Sequence, residues 1–91
     1  MSLYRIYNQG ELPHIAHGWR SVVALPPGRK YITVLDWTTL EHCKVTIDVW
    51  QRLKPELIEH CKASFIRKTI KSRLAGQKPS QLIRSILNAI R

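Results

Sequence analysis

"PELIEHCKASFIRKTIKSRLA" (Pro55–Ala75) is the stretch on which the fold turns. Upstream of it the chain reads as strands; here the spacing of apolar residues changes. Pro55 suits the first position of a helix, and Glu56 and Glu59 suit the positive end of one. The stretch is therefore expected to form one helix from Pro55 to about Ala75, with Gly76 as the residue that ends it. On a wheel of roughly 100° per residue, Ala63, Ile66, Ile70 and Leu74 form one apolar stripe. Ile58, Cys61 and Phe65 form a second. Lys62 and Arg73 lie between the stripes, where their aliphatic stems can cover apolar surface. The opposite wedge holds His60, Ser64, Arg67, Lys68 and Lys71. One stripe is expected on a sheet and the other on a partner helix.

Downstream, Ser80 is a good N-cap after Lys78-Pro79, and a last helix is expected from Gln81 to about Ile90. Leu82, Ile83, Ile86, Leu87 and Ile90 form its apolar face. Arg84, Asn88 and Arg91 follow one another on its outer side.

Upstream, "LYRIY" (Leu3–Tyr7), "WRSVVAL" (Trp19–Leu25), "KYITVLDW" (Lys30–Trp37) and "CKVTIDV" (Cys43–Val49) read as strands rich in β-branched and aromatic residues. Gly10, Pro13 and Gly18 break the first connection. Pro27-Gly28 suits a type II turn, and "TTLEH" makes the next turn. In the fourth strand Cys43, Val45, Ile47 and Val49 share one face, as in a sheet wet on one side. Asp48 is the expected cap of a short helical turn, with Gln51 completing a capping box and Trp50 and Leu53 as anchors.

The expected fold class is therefore α+β: a small antiparallel β-meander packed on a C-terminal helical hairpin. By strand count and spacing the meander resembles an SH3-like half-barrel. At 91 residues the chain fits one domain, a β-rich part over 1–54 and a basic helical hairpin over 55–91. "LAGQKPSQLIRSILN" (Leu74–Asn88) looks like the turn and recognition helix of bacterial helix-turn-helix repressors, which resemblance implies insertion into the major groove. It departs from that pattern by one extra residue in the turn and by strands where a third helix would precede the pair. A plain hairpin docked on a sheet is the preferred reading.

Fifteen Lys and Arg oppose six Asp and Glu, a net charge of +9 with neutral histidines. Charge of this density works against compactness and is usually retained for a polyanionic partner. Its placement is uneven: no acid follows Glu59, while eight basic residues do. Ordinary surface helices mix signs to gain i, i+4 pairs, so an acid-free run of this length points outward to a ligand. Arg67, Lys68, Lys71, Lys78, Arg84, Asn88 and Arg91 are the candidate nucleic-acid contacts. They would bind DNA or RNA mainly through the phosphate backbone, with Arg84 and Asn88 also able to read base edges. Arg29 and Lys30, at a turn tip near Arg20 and Tyr31, could add stacking on unpaired bases. Trp19, Trp37 and Trp50 are expected as core anchors.

Two other readings compete. The basic face could dock on an acidic host protein, as small viral or mobile-element proteins do. The second apolar stripe could instead form a homodimer seam. No catalytic set is evident, since the acids are scattered and no nucleophile has a base beside it, so an enzyme is not expected. His42-Cys43 and His60-Cys61 resemble zinc-ligand pairs, but strand neighbours point to opposite faces, so no metal or other cofactor is expected. The start of the chain lacks the basic and apolar regions of a signal peptide, and no apolar run approaches membrane-spanning length. With only two cysteines, a reduced cytoplasmic protein without a membrane partner is the expectation.

Overall fold

The computed structural model describes residues 1–75, 77 and 81–89. Its elements run β1 (Ser2–Asn8), β2 (Gly18–Ala24), β3 (Tyr31–Asp36), β4 (His42–Thr46), α1 (Ile47–Arg52), β5 (Glu56–His60), α2 (Ala63–Arg73) and α3 (Gln81–Ala89). The chain divides into two compact units, Met1–His60 and Cys61–Arg91. The mixed α+β class expected from the sequence is what forms.

In the first unit the five strands make one antiparallel sheet in the order β4-β3-β2-β1-β5. Alternation along the strands sends Ile6, Val22, Ala24, Ile32, Val34, Cys43 and Val45 to one face. There they pack with Leu12, Ile15 and Trp50 as a single cluster. Tyr4 closes its edge, meeting Trp50 edge-to-face at 5.3 Å. Burial also acts on the Cys43 thiol, pushing its pKa up to about 11. At pH 8 the thiolate is the reactive form. Iodoacetamide should therefore label Cys43 about 100-fold more slowly in the native protein than in urea, as read by mass spectrometry.

The β1–β2 connection is organised by one side chain. Asn8 is fully buried. Its Nδ2 donates to the carbonyls of Leu12, Ile15 and Ala16 at 2.9–3.2 Å, and its Oδ1 accepts from the amides of Gly10 and Leu12 at 3.0 Å. The backbone of an inward-folded loop must find such partners. With them in place, Leu12 and Ile15 reach the core.

The decisive stretch departs from expectation. Glu56–His60 is a strand, not the first turns of a long helix, and it pairs with β1. Lys54 adopts φ 50°, a left-handed conformation that ends α1 and turns the chain before Pro55. The residue before a proline is disfavoured in the right-handed helical region, which opposes a smooth entry into a helix here. Beyond it, the open edge of β1 offers unpaired amides and carbonyls that a strand satisfies. Ser2 pairs with His60, Leu3 with Glu59, Tyr4 with Leu57 and Arg5 with Glu56, which leaves Ile58 as the extra residue of a bulge. Ser2 Oγ and His60 Nδ1 add a side-chain hydrogen bond at 2.8 Å.

Two smaller differences have equally local causes. β4 stops at Thr46 because Thr46 caps α1, its Oγ1 accepting from the Val49 amide at 3.3 Å. Asp48 falls in the first turn of that helix instead of capping it. The left-handed glycine of a type II turn is missing at Gly28, since the described glycines with positive φ are Gly10 and Gly18. Instead the Gly28 amide donates to the Tyr31 carbonyl at 2.9 Å, leaving Arg29 and Lys30 at the tip.

In the second unit Ile66 and Ile70 are the buried residues of α2, and Ile83 and Ile86 are buried in α3. The expected second stripe does not form. Its Ile58 lies in β5, and Phe65 is 55% exposed.

Candidate nucleic-acid interface

The two units differ sharply in charge. Met1–His60 carries seven Lys and Arg against six acids, formally +1, whereas Cys61–Arg91 carries eight against none, formally +8. Nearly all the excess charge therefore belongs to the smaller unit.

Within it, α2 orders the cations. Its buried edge is fixed by Ile66 and Ile70. On the helical wheel Arg67, Lys71 and Lys68 span about 100° on the side away from that edge. Lys68 and Lys71 are exposed and Arg67 is half-buried. There is no acid in the first turn, and Lys71 and Arg73 stand in the last turn, where cations complement the helix dipole. In α3, Arg84 and Asn88 are exposed at i, i+4 spacing, and Ile83 and Ile86 are buried. Of the sequence-derived set, the structure thus presents Arg67, Lys68 and Lys71 on one side of α2 and Arg84 and Asn88 on one side of α3. Lys78 and Arg91 lie outside the described residues, as do several turn residues of the stretch that resembles a helix-turn-helix.

The sheet carries a second group that sequence reasoning only partly found. Tyr31 is 51% exposed. Arg29, Lys30, Tyr31 and Lys44 line one hollow beside the β2–β3 tip. Arg20 does not belong with them. Its Nε donates to Asp36 Oδ2 at 2.7 Å, and Asp36 is fully buried. Burial by itself would raise the pKa of Asp36. The hydrogen bond from Arg20, those from the Thr39 and Thr38 amides, and the guanidinium charge outweigh it and hold the carboxyl below its ordinary value.

Trp19 also departs from expectation. Trp50 is a core residue, but Trp19 is 61% exposed and meets Tyr7 edge-to-face at 5.1 Å, with the Arg5 guanidinium 4.4 Å from its ring centre. Period-2 alternation does not reveal this: Trp19 shares its face with Ser21 but also with Val23, which is buried.

Among the described residues no three His, Cys, Asp or Glu side chains come together as a metal site. None of the described helices is long and apolar enough to cross a membrane. No protein-family model matches the chain, and comparison with curated proteins and with solved structures finds no match either.

Proposed function

We propose that this chain is a small nucleic-acid-binding module whose C-terminal unit holds DNA or RNA by its phosphates and which works in the cytoplasm. The observation that carries the reading is the division of charge: +8 on residues 61–91 against +1 on the larger unit. Unbalanced charge of one sign is costly to keep together without a counter-charged partner. Phosphate contact requires only positive charge and reach, which Arg67, Lys68, Lys71 and Arg84 supply. In this reading the first unit is an SH3-like half-barrel: a four-strand meander, a short helix, and a fifth strand returning to the first.

Phe65 supports a second reading, docking on an acidic protein. It is 55% exposed, three residues before Lys68 on the same helix. A phosphate track has no use for such a ring, whereas protein interfaces are enriched in aromatics. The two readings separate in a competition assay. Duplex DNA, single-stranded DNA and an RNA hairpin are each titrated against the protein with poly-glutamate as competitor. The nucleic-acid reading expects tight oligonucleotide binding that an equal charge of poly-glutamate fails to displace. Equal displacement by poly-glutamate, with capture from lysate that survives nuclease, contradicts it.

A further inference from the structure

We infer that the β2–β3 tip is a separate site for an unpaired nucleotide, which makes single-stranded nucleic acid the ligand of the sheet. The inference rests on the nucleic-acid reading above and adds to it a substrate class.

The site is built by the hairpin. Tyr31 pairs with Thr46 and Thr33 with Lys44, so these four side chains share one face of β3 and β4. The backbone beneath them is fixed. The Gly28 amide donates to the Tyr31 carbonyl at 2.9 Å, the Leu25 amide to Thr33 at 3.0 Å, and the Ile47 amide to Lys30 at 3.0 Å. On that backbone Tyr31 is 51% exposed and lines two neighbouring hollows. The larger hollow, about 500 Å³, is lined by Arg29, Lys30, Tyr31, Thr33 and Lys44 among others, and by no acid. The smaller, about 320 Å³, shares Arg29, Lys30 and Tyr31 and adds Thr46 and Asp48.

Charge and shape together select the occupant. Three cations without an acid favour an anion in the larger hollow. Its size lies within the ~300–1,000 Å³ of small-ligand sites. The half-exposed Tyr31 ring in its lining offers a π-face, which a base can use only when it is unpaired. In a duplex the bases are stacked inside and only phosphates reach the cations. Unlike a duplex, a single strand offers both chemistries at once: base on Tyr31, and flanking phosphates on Arg29, Lys30 and Lys44.

Fluorescence anisotropy with a labelled single-stranded dT 12-mer, a 12-base-pair duplex and heparin tests this. Tyr31→Ala and Tyr31→Leu should each weaken the single strand about 10-fold, since one stacked base is lost. Tyr31→Phe should bind as the wild type does. None of the three should change duplex or heparin affinity, because neither partner presents a free base. If Tyr31→Ala and Tyr31→Leu both fold and bind the 12-mer normally, the site is refuted, and the phosphate reading of α2 still stands if R67E/K68E/K71E weakens binding. If the 12-mer is lost with the Tyr31 variants but unaffected by R67E/K68E/K71E, the sheet site stands and the helix reading falls. Equal weakening of the 12-mer, duplex and heparin by Tyr31→Ala would also refute stacking.

Discussion

Charge reversal at Arg67, Lys68 and Lys71 is expected to weaken duplex DNA binding about 100-fold at physiological salt, by removing some three phosphate contacts and the counterions they release. The three side chains are the ones that α2 turns away from buried Ile66 and Ile70. Lys68 and Lys71 are exposed and Arg67 is half-buried, so the R67E/K68E/K71E variant should lose little of its thermal unfolding midpoint. Since exposed charges contribute little to stability, the loss of affinity is separable from a loss of fold. The same number of reversals at Arg5, Arg52 and Lys54, all in the nearly neutral unit, should have a much smaller effect. Electrophoretic mobility shift with a duplex of mixed sequence measures both.

The second large effect concerns the fold. Asp36→Ala is expected to cost about 3 kcal/mol in urea unfolding, the low end for breaking a buried pair, because Arg20 keeps some contact with water. The carboxylate accepts from Arg20 Nε at 2.7 Å and from the Thr38 and Thr39 amides at 2.8 and 3.1 Å. Its removal orphans a charged donor and opens the β3–β4 turn together. Against a typical total of about 5–15 kcal/mol for a domain, this is a substantial fraction. The pH dependence has a definite sign. The folded pKa of Asp36 lies below its ordinary value. Its contribution is therefore complete above the unfolded carboxylate pKa of about 3.9 and is lost as pH falls through the lower folded value. Stability measured from pH 6 to pH 2 should fall less steeply in Asp36→Asn than in the wild type.

What the sequence revealed depended on local signals. Val45 and Cys43 alternate with Lys44 and Thr46, and that alternation placed β4 and its inner face. The turns at Gly10 and Gly18 were marked by residues that tolerate positive φ, as both adopt. Pro55–His60 departs from the helical pattern because "ELIEH" has no local preference strong enough to decide. Its conformation is set by the unpaired edge of β1, fifty residues away in sequence, which no periodicity reports. With that strand removed from the helix, the second apolar stripe lost its meaning. The candidate site was legible where it depended on charge alone, as in the acid-free run after Glu59. It was not legible where it depended on pairing across strands. Lys44 joins Tyr31 only through the β3–β4 register, and the β2–β3 register puts Arg20 on the opposite face, beside Asp36.

If α2 lays its cations along phosphates, salt titration of duplex binding should separate the wild type from R67E/K68E/K71E. In the wild type log affinity should fall linearly with log salt. In the variant the slope should be shallower by about 2–3, close to 0.9 for each contact removed. Two parallel lines, or a wild-type affinity that does not change with salt, would contradict it.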